Sequence, residues 1–220
     1  MNKEWSEQNK TMQLQLKKKE SFSSGIATLL ELRKALMEQM MAFITRLADE
    51  DFSAMPYRNA KGYHSKTVAY SLWHIFRIED IVAHTLIAGD EPVFFRGDYQ
   101  RKINSPIVTT GNELTGEDMI RFSQALCIDE LYAYMEAVDA ASTKILENLT
   151  YGDLKLKISD EKRKALENLG VVSKDENAWW LIDYWCGKDI RGLIQMPFSR
   201  HWIMHIEACI RIMEKLLSAK

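Results

Sequence analysis

The sequence predicts an all-α protein, and three observations carry that expectation. Apolar residues recur at helical spacing over four long stretches. No stretch alternates apolar and polar residues as a half-buried strand would. No glycine-rich phosphate loop and no internal repeat interrupts the pattern.

The first long helix can start on a serine cap at Ser23 or Ser24, with Leu29, Leu36, Met40, Phe43 and Leu47 marking its inner face until about Asp49. Pro56 and the stretch from Asn59 to Gly62 form the connection to the second helix, expected from about Lys66 to Ala88. After Gly89 the period breaks for a loop with two prolines and three aromatics. Such a loop either serves a site or covers one end of the helices, and Phe94, Phe95 and Tyr99 argue that it is packed down. Thr115 and Asp118 open a third helix, with Met119, Phe122, Leu126, Leu131, Tyr134, Val138 and Ile145 as its core positions, to about Leu149. Residues 151–196 are more than a minimal bundle needs. Within them Ser159 can cap a short helix ending at Gly170, and Ser173 with Glu176 forms a capping-box pattern before Trp179, Trp180 and Trp185. That aromatic loading suits core packing, or the wall of a binding site. Pro197 suits the first turn of the last helix. Residues 1–22, with Trp5, Leu14 and Leu16 as anchors, read as an N-terminal extension with a solvated face or frayed end, and the whole of 1–220 as one helical domain.

Composition narrows the function. The chain is 46% hydrophobic and 27% charged, a globular balance, and its net charge of −2 offers no basic footprint for nucleic acid or anionic membrane. No run of apolar residues is long enough to cross a membrane, and no apolar segment follows the first Met. Cys127, Cys186 and Cys209 are odd in number and widely spaced, as expected of reduced thiols in a cytoplasmic protein.

Five histidines remain to be explained. On the last helix His201 and His205 stand four residues apart, about 40° in angle and about 6 Å along the axis, close enough to share one cation. Arg200, Glu207, Arg211, Glu214 and Ser218 define the solvent side of that helix, and Trp202, Ile206, Cys209, Met213, Leu216 and Leu217 the opposite side. The two imidazoles fall on the flank of the apolar half. On the second helix His74 lies among Ile75, Ile78, Ile81 and Val82, whereas His84 sits with Arg77 and Asp80 on the polar side and His64 precedes the helix. Three inward imidazoles need polar partners, because a buried unpaired ring nitrogen costs about 1–3 kcal/mol. A metal held by His74, His201 and His205 answers that need; core histidines bonded to a carboxylate or to water are the alternative. Of the nearby carboxylates Glu79, Asp80 and Glu207, only Glu79 lies near the edge of the inner face, as a candidate partner or base.

The segments Ser71-Leu-Trp-His74-Ile-Phe-Arg-Ile-Glu79-Asp80 and Arg200-His201-Trp-Ile-Met-His205-Ile resemble the DinB/YfiT-like family of metal-binding four-helix bundles. Thr110-Gly-Asn-Glu-Leu114 and Trp185-Cys-Gly-Lys-Asp189 are similar to connecting segments of one branch. The resemblance runs from about residue 25 to the end. It implies an up-down-down-up four-helix bundle that pairs as a homodimer and holds zinc, nickel or another divalent ion on His74, His201 and His205. Some members are S-transferases that use a low-molecular-weight thiol on small electrophiles. The expected function is therefore such a metal-dependent transferase, with a metal-dependent hydrolase or a non-catalytic metal- or ligand-binding bundle as alternatives.

Overall fold

The computed structural model describes residues 2–219. It is helical over 73% of the chain, and no strand occurs among the described residues beyond one isolated bridge between Lys157 and Asp189. Eleven α-helical segments follow one another: α1 (Lys3–Gln15), α2 (Phe22–Arg46), α3 (Val68–Asp80), α4 (Val93–Arg96), α5 (Tyr99–Lys102), α6 (Gly116–Ala125), α7 (Ile128–Asn148), α8 (Asp160–Leu169), α9 (Glu176–Cys186), α10 (Ile190–Ile194) and α11 (His201–Leu217). None of them is long and apolar enough to cross a membrane.

Two apolar clusters organise these helices. The first joins Leu36, Met40 and Phe43 of α2 to Leu72, Trp73 and Phe76 of α3, Tyr134 and Val138 of α7, and Trp202, Ile206 and Cys209 of α11. The second gathers Met12 of α1, Leu29 of α2, Leu86 beyond the end of α3, and Leu166, Leu181, Trp185 and Leu193 of the 151–196 insertion. The insertion therefore builds a core of its own against the far end of α3.

The N-terminal segment is packed rather than solvated. The Asn2 side chain caps α1 by accepting from the Trp5 N–H, and Trp5, Met12 and Leu16 are buried while Leu14 is exposed. The turn after α1 sits so close to α2 that a Cβ on Gly25 would lie 2.8 Å from the Leu16 side chain. Helix α2 begins at Phe22, slightly ahead of the expected serine cap; the Ser21 hydroxyl instead donates to Gln15 O at 2.8 Å.

Helix α3 departs most from its helical wheel. Thr67 caps it by accepting from the Tyr70 N–H, and all thirteen residues are buried, Arg77 and Asp80 included. The helix widens into a π-helical segment, Ile81–Ala88, which Gly89 ends in the left-handed region at φ 79°. His84, expected at the surface, is buried there with its Nδ1 2.6 Å from Asp90 Oδ1. Lys162 of α8 donates its ammonium to the carbonyls of Leu86 and Ile87 at 2.9 and 2.7 Å, closing the end of that segment. A wheel treats polar as exposed, but here the insertion and the 90–115 loop cover the polar side.

That loop is firmly held. The Asp80 carboxylate accepts from the N–H groups of Val93 and Phe94 at 2.7 and 2.9 Å and from the Tyr134 hydroxyl at 2.9 Å. Arg77 donates to Val108 O at 3.0 Å, and its guanidinium lies 4.3 Å over the Phe94 ring. The expected third helix is two, α6 and α7, parted at the extended Leu126 and Cys127. Ser159 caps α8 as expected. Helix α9 is capped by Asp175 rather than Ser173, whose hydroxyl accepts from the Asp175 N–H one step earlier. Before α11, residues Met196–Arg200 form a second π-helical turn carrying Pro197. Leu217, expected inside, is exposed because α11 there runs past the core.

Candidate metal centre

The chain brings His74, His201 and His205 together as the wheels suggested. All three are buried, and one ligating atom from each can be chosen so that the three lie within 4.8 Å of one another. The ring centroids of His74 stand 5.0 and 4.9 Å from those of His201 and His205, which are 4.6 Å apart. Nitrogens sharing one tetrahedral ion at about 2.0–2.1 Å would lie nearer together than that, so the rings would draw together on binding one.

Each ring is set by its surroundings. His74 Nδ1 lies 2.7 Å from Thr110 O, so that nitrogen carries the proton and Nε2 is left with its lone pair. Thr110 is held in turn by its own N–H, which donates to Val171 O at 3.1 Å. The ring of Tyr70 stacks on His74 at 5.3 Å, and the Tyr70 hydroxyl donates to Gly111 O at 3.0 Å. Tyr63 meets His205 edge-on at 4.7 Å. Thus α3, the 90–115 loop and the insertion jointly orient one imidazole, in the carbonyl-to-histidine pattern common around metal ligands.

Burial pushes the pKa of all three histidines down: His201 to about 3, and His74 and His205 well below their ordinary value, with Lys66 and the neighbouring imidazoles adding repulsion. At neutral pH the trio is uncharged, the form in which imidazole binds metal. Nδ1 of His201 and Nδ1 of His205 are buried with no hydrogen-bond partner. No carboxylate reaches these atoms, and the donor set of three neutral imidazoles fits a divalent ion, with water the other partner such atoms could take. Three neutral imidazoles suit zinc, nickel, copper or iron alike.

The trio lies at one side of a cavity of about 350 Å³, within the range of small-molecule sites. Its walls come from Tyr63 and Lys66 before α3, Asn112 of the 90–115 loop, and Trp180, Tyr184 and Trp185 of α9. Two of the three clustered tryptophans therefore face a site, while Trp179 is not among the lining residues. Helical spacing predicted the ligands, but Thr110 contributes only a backbone carbonyl, which no residue type announces.

The remaining candidates are engaged elsewhere. Glu79 forms a buried two-pronged ion pair with Arg33, at 2.6 and 2.7 Å, so it is neither base nor partner to the histidines. Asp80 holds the loop, and Glu207 accepts from the Asn2 N–H on the outer side of α11. His64 Nε2 lies 2.6 Å from Arg211 Nη1. Cys209, one turn beyond His205, is pushed up to about 12 by burial and stays a thiol. No protein-family model matches the chain, and a search of curated proteins returns no match.

Proposed function

We propose that the protein is a divalent-metal-dependent enzyme of DinB/YfiT-like type that transfers a low-molecular-weight thiol to a small electrophile. The observation that carries this reading is the buried trio His74, His201 and His205 at the wall of a cavity large enough for a small molecule. The shared core of α2, α3, α7 and α11 supports a bundle of that family type. Three free cysteines fit a reducing, cytoplasmic setting. Pairing into a homodimer follows from the resemblance, and light scattering of the purified protein tests it.

His74, His201 and His205 would hold a zinc or nickel ion, which when bound would supply Lewis acidity that favours a thiolate over the thiol. The chain does the rest. Thr110 O holds His74 with its free nitrogen turned from the backbone, and α9 with Tyr63 walls the cavity beside it. In the transfer the sulfur bonds to the electrophilic carbon as the displaced group leaves with the bonding pair, and the thiol's proton passes through solvent to that leaving group. Among the described residues no Asp or Glu lines the cavity. Hydrolysis needs a group to take a proton from water and return it to a leaving group. Coordination would acidify a bound thiol and a bound water alike, so the choice of transfer over hydrolysis rests on the family resemblance and is decided by assays with a thiol and with water as nucleophile.

Elemental analysis of tag-free protein tests the reading. Close to one equivalent of divalent metal is expected in the parent and little in His205→Ala, followed by thiol consumption with small electrophiles. No metal in either after incubation with zinc or nickel would overturn it.

A further inference from the structure

The charge balance of the cavity identifies its guest more closely. Lys66 is the one Lys, Arg, Asp or Glu among the residues that line the cavity. Lys66 is partly buried, its ammonium lies 4.4 Å over the Tyr70 ring, and no described carboxylate pairs with it. Opposite charges normally accompany a cation withdrawn from water, because leaving one uncompensated costs several kcal/mol. A divalent ion on the histidines would add two further charges to the same enclosure. Asn112 adds to the imbalance: its side-chain oxygen accepts from the Thr110 hydroxyl at 2.8 Å, which leaves the amide N–H groups as donors. The cavity thus offers cations and donors with no anion of its own.

The rest of the wall is flat and apolar. Trp180 and Tyr184 meet edge-to-face at 5.5 Å, Tyr63 stands edge-on to His205, and Trp180 is half exposed although it flanks a cavity. Partly exposed aromatic faces beside a cleft favour planar guests through stacking.

We propose that this cavity binds a small molecule with a planar apolar body and one anionic group, a carboxylate or phosphate, the anion beside Lys66 and Asn112 and the plane against Trp180 and Tyr184. This deepens the reading of the same cavity as a substrate site. The anion at Lys66 fixes where the guest's reactive carbon lies relative to the histidines, so Lys66 acts in specificity.

The test is calorimetric titration of full-length protein, metal-free and zinc-loaded, with 2-naphthoate, 2-naphthyl phosphate and the neutral 2-naphthalenemethanol. The parent is expected to bind one or both anions at least about tenfold more tightly than the alcohol. Lys66→Gln should lose that margin, keep the weak affinity for the alcohol and retain its zinc stoichiometry; Trp180→Ala should weaken all three ligands alike. Comparing the two anions shows whether the site prefers carboxylate or phosphate. Equal binding of anion and alcohol by the parent, undiminished anion binding by Lys66→Gln, or no anion binding at all would overturn the proposal. Lys66-dependent anion binding in a protein that takes up no zinc would leave the anion site standing and remove the metal reading instead.

Discussion

Among the buried polar side chains of α3, His74 and Glu79, five residues apart, meet opposite fates. Glu79 is answered within the protein. Its carboxylate takes both prongs of Arg33, which also reaches Asp139 at 2.6 Å and lies 4.3 Å over the ring of Trp202. His74 is answered on one nitrogen alone, and its two companions leave buried atoms without partners. Both clusters bury polar groups and each leaves a nitrogen without a partner, Arg33 Nε in the first, yet only the first is closed by an ion pair of its own. The difference separates polar burial that fixes how helices meet from polar burial that waits for something to bind.

The largest expected effect breaks the closed cluster. Arg33→Ala leaves the Glu79 carboxylate buried and unpaired, and should lower unfolding free energy by about 3–5 kcal/mol, measured by chemical denaturation. Metal uptake by the fraction that remains folded should be unchanged. Replacing Arg33 and Glu79 together by Met and Leu should cost clearly less than Arg33→Ala alone, since no stranded charge remains.

The open cluster should respond to pH instead. Burial lowers the folded-state pKa of its histidines, His201 from 6.5 to about 3. The unfolded chain therefore takes up protons in that window that the metal-free folded protein refuses. Stability is full above pH 6.5 and should fall, on the order of a few kcal/mol, as pH drops toward 3. A flat stability profile of the metal-free protein across that window would contradict a neutral, enclosed trio.

Smaller still is the expected effect of His205→Ala on folding. Loss of an imidazole whose Nδ1 already lacks a partner should change the stability of the metal-free protein by less than about 1 kcal/mol, while abolishing the stabilisation that added zinc gives the parent. Thermal melts with and without zinc read both at once. The smallest effect concerns thiols. Exposed Cys127 should react quickly with a thiol reagent, whereas Cys209, buried and pushed up to about 12, should react only on unfolding. Labelling Cys127 should leave metal content untouched.

The same contrast explains what was legible in the sequence. His74, His201 and His205 could be read because each lies on or beside an apolar stripe, where a polar residue is conspicuous. Arg77, Asp80 and His84 could not, since they form a polar stripe of their own and only the later 90–115 loop and the insertion show that it is covered. Lys66 and Asn112 lie outside the long helices, in turns whose course depends on tertiary packing. The division between α6 and α7 leaves the apolar period nearly intact on both sides of Leu126, so periodicity alone joined them. The helical class itself was the easiest reading, because it rests on many residues at once.

The ligands of the candidate centre sit on α3 and α11, whereas the aromatic wall sits on α9, in a stretch that owes much of its packing to a second core. Inheritance and engineering can therefore treat them as separate modules. If the proposed site holds, drift or randomisation at Trp180 and Tyr184 would retune which guest it takes without touching the imidazoles, much as a lock is rekeyed without replacing the bolt. A library confined to the exposed side chains of α9 is thus the shortest route from this protein to one with a different appetite.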